Sequence, residues 1–489
     1  MSQSAQCFVQ PQGVAGSDAL KINVPDLITK QLKLYINANG KRKITVSTNW
    51  LRLFDFEPKS PVIERSLGAG KGIVISRVYD LFDMPNVKKV YERRYKSRKN
   101  NPLESQLEVN SQKILNASFP ADCERVHITF EHGKVTITPL TTLQERALNN
   151  AKNAEDKLSA FVAFSSGVDA HALQADGFSI TGLLDYRVVE SRDKSDLTET
   201  GALNALANVP GMKALINEDI FSIDVQRVAQ YFKDSPFMLM SASPQCDDFS
   251  SLKNASQKAK DIQSVASTMD MSLDVLNLIE AMNPPVVMLE NVTAWAKSSV
   301  YELMSLRLRR RGYKEYLLAS ADARDYSGMT SRKRAYAIFS ILDAPFCFED
   351  KVARNNTPIW DQILPYLKDC RDVTHCKSIQ DGARIGRLRV ITKESLHSPT
   401  PVKSQSRQAK DSLVIEHDSR YYWPTEALLK YVLGIDTQFC LDTNSQTIAS
   451  EIIGQGIDVP LHASIIRSVK KHIESFFNLT GNTSKSVSV

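Results

Sequence analysis

The chain has 489 residues, of which 42% are hydrophobic and 24% charged, and its net charge is +6. This composition is ordinary for a globular protein and excludes wholesale disorder or a collagen-like repeat. Seven widely spaced cysteines without a CxxC pair argue against a disulfide framework and a cysteine-rich zinc site. No apolar run reaches the roughly 18 residues of a membrane span, and the first residues lack a secretory signal pattern, so we expect a cytoplasmic protein.

The first part of the chain is predicted to be a polar tail over 1–20 and a β-rich extension over 21–142. Alternating apolar residues and turn residues predict strands, including an antiparallel hairpin over 124–140 around a His-Gly turn. Three glycines around Lys71 are compatible with a phosphate loop. Their spacing and the absence of Ser or Thr after the lysine favour a hairpin turn instead.

A basic segment over 86–101 carries seven Lys or Arg residues and one Glu. A charge run is usually a solvated face, but cations interleaved with tyrosines are also typical of a nucleic-acid contact. Both interpretations stay open. Under the second one, the candidate nucleic-acid-binding residues are Lys88, Lys89, Arg93 and Arg94.

The rest of the chain is predicted to form a doubly wound, Rossmann-like α/β fold, because buried apolar strands alternate with amphipathic stretches from residue 158 onward. Ligands of such folds bind at the carboxyl ends of the strands. The predicted parts are a polar linker helix (143–157), an α/β domain in two pieces (158–345 and 424–476), a less periodic region between them (346–423) and a polar tail (477–489).

Three polar motifs accompany the buried strands of this domain. SASPQCDDFS places Cys246 directly after a strand, where a nucleophile would lie, although most cysteines are inert. LENV places Glu290 at the end of the next strand, either as a proton donor or as a carboxylate at a helix N-terminus. SRKR places Arg332 and Arg334 at alternate positions of a third strand, so both can point to one oxygen-rich ligand.

In this order, the motifs resemble those of the DNA cytosine-5 methyltransferase family. PQCDDFS is similar to the family's Pro-Cys loop, LENV to its Glu-Asn-Val and TSRKRAYAIFS to its Gln-x-Arg-x-Arg element. FSSGVDAHALQADGF (164–178) is similar to its first cofactor loop, and GQGIDVPLHASII (454–466) to its closing Gly-Asn motif. The resemblance covers residues 158–475 and implies a methyltransferase domain with a target-recognition region over 346–423.

The resemblance also implies a mechanism and a cofactor. Cys246 would attack C6 of a flipped-out cytosine, Glu290 would act at N3, and Arg332 and Arg334 would hold the base through O2. The methyl group would come from S-adenosylmethionine, and no metal is expected. The implied cofactor-binding residues are Phe164, Gly167, Asp185, Asp219, Gly454, Gln455 and Gly456. Glu190 is an alternative to Asp185.

The chain departs from the family pattern at several positions. Gln245 stands where the family has Pro, Asp247 where it has Gln, and the first cofactor loop has one glycine where the family usually has three. Because the Cys, the Glu and both Arg residues are retained, we predict an active, divergent enzyme. The alternatives are a catalytically inactive DNA-binding or regulatory protein of the same fold, and an enzyme of this fold that acts on RNA or transfers a modified one-carbon group.

Double-stranded DNA is the partner that the resemblance implies, and with it a nucleoid-associated location. Only residues 369–390 of the target-recognition region look variable, which predicts a short or relaxed site with Arg384, Arg387 and Arg389 as DNA contacts. The β-rich extension is faintly similar to swapped-hairpin DNA-binding domains, which implies a homodimer. A protein-interaction or purely structural extension is the alternative, and a restriction nuclease is a further expected partner.

Overall fold

The computed structural model describes residues 24–80, 86–97, 102–121, 123–189, 193–250 and 253–485. The polar tail predicted over 1–20, part of the basic segment and Glu190 lie outside these ranges. The chain divides into two compact units, 1–142 and 143–489. Among the described residues, no helix is both long enough and apolar enough to cross a membrane.

The described part of the first unit consists of two antiparallel sheets and two short helices. Its elements are β1 (Ile28–Lys33), β2 (Tyr35–Ile36), β3 (Arg42–Ser47), α1 (Trp50–Leu53), β4 (Pro61–Ser66), β5 (Ile73–Arg77), β6 (Lys88–Lys89), β7 (Tyr91–Arg94), β8 (Leu103–Val109), α2 (Gln112–Ser118), β9 (Arg125–Glu131) and β10 (Lys134–Pro139). One sheet has the order β1-β9-β10-β5-β4-β6, and the other has the order β2-β3-β8-β7.

Alternation of side chains builds the core of the first unit. Strands β3, β9 and β10 bury alternate residues, and the apolar side chains among them pack with Phe54 and Phe56. The predicted hairpin over 124–140 is confirmed, since β9 and β10 pair around a turn in which Gly133 has a φ of 65°. The glycines around Lys71 connect the antiparallel strands β4 and β5, which confirms the hairpin interpretation.

The second unit begins with the elements that form its large sheet and the helices around it. They are α3 (Leu143–Asn153), β11 (Ser159–Ala163), α4 (Val168–Ala175), β12 (Ser179–Leu184), α5 (Thr200–Asn208), β13 (Ala214–Ile216), α6 (Val225–Tyr231), β14 (Leu239–Ala242), α7 (Ala255–Gln263), α8 (Met271–Met282), β15 (Val286–Asn291), α9 (Ser299–Arg310), β16 (Lys314–Asp322) and β17 (Lys333–Ser340).

The remaining elements form a smaller sheet and the C-terminal helices. They are α10 (Trp360–Leu367), β18 (Arg371–Asp372), α11 (Lys377–Arg384), β19 (Arg389–Ile391), β20 (Leu413–His417), β21 (Arg420–Trp423), α12 (Glu426–Leu433), α13 (Gln446–Gln455) and α14 (Val459–Lys485). Short 3-10 helices occur at Trp295–Lys297, Ala323–Tyr326 and Lys403–Arg407.

The large sheet has the order β13-β12-β11-β14-β15-β17-β16, which confirms the predicted doubly wound α/β fold. Every residue of β11, β14 and β15 is buried, as expected for parallel strands covered on both faces. The chain runs outward from β11 to β13 and then returns to β14. This places a topological switch point between β11 and β14. Strand β17 is antiparallel to both of its neighbours.

Several details differ from the pattern read in the sequence. Strand β13 has only three residues, which is too few to give a periodic signal in the sequence. Helix α3 packs onto the second unit, burying Ala147 and Ala151, and its Asn150 side chain donates to the carbonyls of Met282 and Asn283. The aperiodic region forms a four-stranded sheet of order β18-β21-β20-β19, and α14 continues well past residue 476.

Candidate active site

A cleft of about 900 Å³ opens along the carboxyl edge of the large sheet. The loops after β11 and β14 lie side by side at the switch point, which is where doubly wound folds bind ligands. Because β17 runs in the opposite direction, its first residues meet the same edge. As a result, ten of the eleven residues predicted for catalysis or cofactor binding line this cleft, and Gly167 lies directly next to it.

The Cys246 loop is a tight turn held against the neighbouring strand. The backbone amides of Phe249 and Ser250 donate to the carbonyl of Cys246 at 3.0 and 2.9 Å. The side-chain amide of Asn291, the last residue of β15, donates to the carbonyl of Pro244 at 2.9 Å. Asn291 is 1% exposed, so this bond fixes the cysteine loop to the strand end that carries the Glu-Asn-Val motif.

Asp248 anchors the other side of the loop. Its buried carboxylate accepts hydrogen bonds from the Lys253 ammonium at 2.5 Å, the Ser267 hydroxyl at 2.9 Å and the Thr268 amide at 2.7 Å. These bonds hold the pKa of Asp248 below its usual range, although burial alone would raise it. The second of the two acidic residues after the cysteine is therefore a structural anchor, and its charge is neutralised within the protein.

Glu290 and Arg334 form the charged pair of the cleft. Glu290 is 8% exposed, and its Oε1 lies 2.7 Å from Nε of Arg334. This contact lacks hydrogen-bond geometry, so Oε1 has no hydrogen-bond partner among the described residues. The ion pair with Arg334 compensates part of the cost of burying this oxygen, and a ligand donor would supply the hydrogen bond that it lacks.

The charges of Glu290 and Arg334 both affect the pKa of the Cys246 thiol. Burial raises the pKa of Cys246, the Arg334 guanidinium lowers it, and the carboxylates of Asp247 and Glu290 raise it further. The net effect is a raised pKa, so the thiol form is favoured. Neutralising the Glu290 carboxylate would remove one of the charges that oppose thiolate formation.

Arg332 has a different environment from Arg334. It is 2% exposed, and its guanidinium donates to the carbonyls of Pro401, Gly454 and Gln455 at 3.4, 3.3 and 3.0 Å. A Cβ at Gly454 would lie 2.3 Å from the carbonyl oxygen of Val402, so glycine is needed for this close backbone approach. Arg332 thus joins two distant segments that form one wall of the cleft.

The loop after β11 is built from left-handed backbone. Phe164, Ser166 and Gly167 have φ values of 66°, 47° and 89°. A Cβ at Gly167 would lie 2.9 Å from Cα of Ala205, so this glycine permits close packing of the loop on α5. The loop therefore needs only one glycine, at the point where its backbone approaches α5 most closely.

Asp185 follows β12 and is buried at the cleft. Burial raises its pKa to about 6, although hydrogen bonds from Ser166 act in the opposite direction. A Cβ at Gly201 would lie 1.8 Å from Oδ2 of Asp185, so Gly201 makes room for this carboxylate. Ser165 and Ser243 each have a buried hydroxyl with no hydrogen-bond partner in the described part of the chain.

Asp219 and the glycines of the last motif complete this part of the cleft. Asp219 follows β13 and accepts a hydrogen bond from the Phe221 amide at 3.1 Å. Gln455 and Gly456 lie at the end of α13, beside the carbonyls that Arg332 holds. The unpartnered hydroxyls of Ser165 and Ser243 thus lie in the same cleft as the carboxylates of Asp185 and Asp219. This set of polar groups fits a ligand that carries both hydroxyl and amino groups.

The arginines of the target-recognition region are not equivalent. Arg389 is half-buried, lines the cleft and donates to the carbonyl of Thr400 at 2.5 Å. Arg384 lies at the end of α11 and pairs with Asp381 at 2.9 Å, and Arg387 is exposed in the turn that follows. Sequence reasoning missed the other cations that line the cleft, which are Arg187, Lys253, Lys258, Lys333, Lys403 and Arg407.

The four basic residues predicted to contact nucleic acid lie on β6 and β7, the edge strands of the two sheets. Lys88 in β6 pairs with Glu64 at 2.8 Å. All four residues of β7 are exposed, including Arg93 and Arg94, and Arg93 stacks 4.9 Å from the Tyr95 ring. Lys89 is also exposed. In neither unit do the described residues contain a group of three or more His, Cys, Asp or Glu side chains placed to hold a metal.

Comparison with known families supports the sequence resemblance. Residues 207–344 match the family model described as C-5 cytosine-specific DNA methylase. This segment contains Cys246, Glu290, Arg332 and Arg334, so the family resemblance predicted from the motifs is confirmed over these residues. A search of curated proteins finds no match to the chain.

Solved structures of methyltransferases are similar to the chain at low identity. Entamoeba histolytica methyltransferase EhMeth has 15% identity and a TM-score of 0.49, covering 65% of this chain and 99% of its own. Schizosaccharomyces pombe Dnmt2 has 17% identity and a TM-score of 0.49, covering 64% and 98%. Spodoptera frugiperda DNMT2 has 13% identity and a TM-score of 0.49, covering 64% and 99%.

The raised pKa of Asp185 predicts a cost in stability. An acid with a pKa of about 6 when folded, against 3.8 when unfolded, binds its proton more tightly in the native state. Stability is therefore lost as the pH rises from about 4 to above 6. We expect Asp185→Asn to increase the free energy of unfolding at pH 7.5 by up to about 3 kcal/mol. At pH 4 the gain should be much smaller, and urea unfolding at both pH values measures the difference. A gain that is equal at both pH values would contradict the assignment.

Proposed function

We propose that the protein transfers a methyl group from S-adenosylmethionine to C5 of cytosine in double-stranded DNA, through a covalent bond between Cys246 and C6. The observation that carries this proposal is the placement of Cys246, Glu290 and Arg334 in one cleft, where the two charged groups act on the thiol. The family match over residues 207–344 supports a C-5 cytosine methyltransferase.

The chemistry requires each of these groups. C5 of cytosine is a poor nucleophile until a group adds to C6, and Sγ of Cys246 supplies that bond. A protonated Glu290 hydrogen-bonds N3 and stabilises the electron density that moves into the ring toward N3 and C5. After C5 is methylated, a base removes the C5 proton and the C6–S bond breaks, which restores the double bond and releases Cys246.

The two arginines have different parts in this proposal. Arg334 contacts the Glu290 carboxyl and would also hold O2 of the base. Arg332 is largely occupied by backbone carbonyls, so it acts mainly by holding the cleft wall, and its Nε alone has no hydrogen-bond partner in the described residues. The proposed base contact of Arg332 is therefore made by Nε or by the second N–H of Nη2.

A nucleoside cofactor fits the other end of the cleft. The buried Asp185 carboxylate, beside the gap left at Gly201, would accept hydrogen bonds from ribose hydroxyls. Asp219 would accept from an adenine amino group, and the hydroxyls of Ser165 and Ser243 offer further partners. S-adenosylmethionine, when bound, supplies the electrophilic methyl group.

A nucleic acid is proposed as the substrate because cations line the cleft, and DNA in particular because the matching family model describes a DNA methylase. Lys258, Lys333, Arg389 and Arg407 line the cleft, and Asp248 is already neutralised by Lys253. Since C5 and C6 cannot be reached inside a duplex, the target base must leave the stack. RNA and a catalytically inactive binding role are the alternatives that the experiments below separate.

A methyl-transfer assay tests the reaction and the nucleophile together. Full-length protein is incubated with labelled S-adenosylmethionine and either duplex DNA or RNA of matching sequence, and the labelled nucleoside is identified after digestion. We expect label in 5-methyl-2′-deoxycytidine and a loss of at least about 1,000-fold in Cys246→Ser. Cys376→Ser, a half-buried cysteine of the same unit, is the matched control and should keep full activity.

Two results would contradict the proposal. Label in RNA alone would replace the DNA substrate, and absence of label in both nucleic acids despite cofactor binding would favour a regulatory protein. Equal loss of activity in Cys246→Ser and Cys376→Ser would remove Cys246 as the specific nucleophile.

If the exposed cations of β6 and β7 contact DNA phosphates, the affinity for duplex DNA should depend on salt concentration through these residues. Each phosphate contact contributes about 0.9 to the slope of log affinity against log salt. We expect Lys89→Gln/Arg93→Gln/Arg94→Gln to weaken binding to a 30-base-pair duplex and to reduce this slope by roughly 2 to 3. Fluorescence anisotropy at several salt concentrations measures both. The matched control is Lys41→Gln/Lys71→Gln/Lys113→Gln, three exposed lysines of the same unit. Equal slopes for the two variants would overturn this contact.

A further inference from the structure

A buried polar chain connects four elements of the second unit. The Ser241 hydroxyl of β14 donates to Oδ2 of Asp169 in α4 at 2.7 Å. Oδ1 of Asp169 lies 2.5 Å from Nε2 of His462 in α14, and Nδ1 of His462 lies 3.1 Å from the Tyr336 hydroxyl of β17. All four residues are at most 1% exposed. The proposed reaction uses none of them directly.

One end of this chain lies beside the base-binding residues. Tyr336 pairs across the sheet with Glu290, and it lies two residues after Arg334 on the same strand. Side chains at paired and alternate positions of an antiparallel ladder share a face of the sheet. Tyr336 is therefore the neighbour of both members of the charged pair, and its hydroxyl fixes that face to His462.

The other end lies beside the cofactor loop and the cysteine loop. Asp169 is in the first turn of α4, two residues after Gly167, and it lines the cleft. Ser241 is in β14, five residues before Cys246. A shift of α4 relative to β14 or α14 would break at least one bond of the chain, so the chain couples the positions of these segments.

The centre of the chain is an ion pair. Burial lowers the pKa of His462, but the charge and hydrogen bond of Asp169 outweigh burial and raise it above its usual value. Protonated His462 donates from both ring nitrogens, to Asp169 and to the Tyr336 hydroxyl. A buried ion pair contributes little net stability compared with an apolar pair of the same volume, so stability alone does not account for this one.

We propose that the Asp169–His462 ion pair is a positioning device that holds the cofactor loop in register with the base-binding face of β17. This inference rests on the proposed function, since it assigns the cofactor to the loop and cytosine to the β17 side. Asp169 and His462 are positioning residues, because they act through Gly167 and through Tyr336. Removal of the ion pair should impair both the cofactor site and the cytosine site. Removal of the Tyr336 hydroxyl should impair only the cytosine site.

Three variants of the full-length protein test this inference. Asp169→Asn/His462→Gln removes both charges without leaving one unpaired, which limits the loss of stability. Tyr336→Phe removes a single hydroxyl and keeps the packing. His472→Gln is the matched control, because His472 is a buried histidine of the same helix that contacts the far end of β17 through Ser340 at 2.7 Å.

The measurements are the Kd for S-adenosylmethionine by calorimetry, kcat for methyl transfer, and the melting temperature. We expect the double variant to raise Kd at least tenfold and to lower kcat at least tenfold. Tyr336→Phe should lower kcat with Kd within about twofold of the wild type, and His472→Gln should change the melting temperature alone.

The outcomes distinguish the inference from the function on which it rests. A double variant that melts lower but keeps the wild-type Kd and kcat would overturn the positioning role, as would equal effects of the double variant and His472→Gln on Kd. Absence of cofactor binding or of methyl transfer in the wild type would instead overturn the proposed function, and the inference with it.

Discussion

The direction of β17 determines which side chains line the cleft. Because this strand is antiparallel to β15, its first residues meet the edge at which β14 and β15 end. Arg334 therefore shares a face of the sheet with Glu290 and contacts it diagonally across the ladder, and both side chains line the cleft with Cys246. If β17 ran parallel to β15, the two arginines would lie at the opposite edge, and the cleft would have a cysteine and a carboxylate without a cation. The proposed reaction depends on this one reversal of strand direction.

Around this constraint, buried hydrogen bonds hold the loops in place. Asn291 fixes the start of the cysteine loop and Asp248 its end, while Arg332 holds the wall formed by the last motif. Asn291 and Asp248 are satisfied within the protein, whereas Asp185 is buried with a raised pKa, and Oε1 of Glu290 and Nε of Arg332 have no hydrogen-bond partner among the described residues. Such uncompensated groups lower stability in the free protein, and ligands that complete them would recover that cost. The cleft thus combines a rigid frame with a few polar atoms left open for ligands.

Much of this arrangement was predictable from local sequence. Fully buried strands appear as continuous apolar runs, and residues that follow them must lie at one sheet edge, which is why Cys246 and Glu290 could be placed together. Strand β13 gives no periodic signal because it has only three residues, and the small sheet within 346–423 has short strands with little alternation. The different environments of Arg332 and Arg334 could not be predicted, since they depend on carbonyls more than 60 residues away in the chain. The pairing of Asp169 with His462 joins residues 293 positions apart, so only the folded structure reveals it.

The central claim is that Cys246 adds to C6 of cytosine in DNA, and covalent trapping measures this most directly. Duplex DNA containing 5-fluoro-2′-deoxycytidine is incubated with the full-length protein and S-adenosylmethionine. Fluorine at C5 cannot be removed as a proton, so the C6–S bond cannot break and the adduct persists. We predict a protein–DNA complex that survives denaturation, forms only with the cofactor present, and carries the nucleotide on the peptide that contains Cys246, as identified by mass spectrometry. Attachment at another residue, or no complex under conditions in which the cofactor binds, would contradict the account.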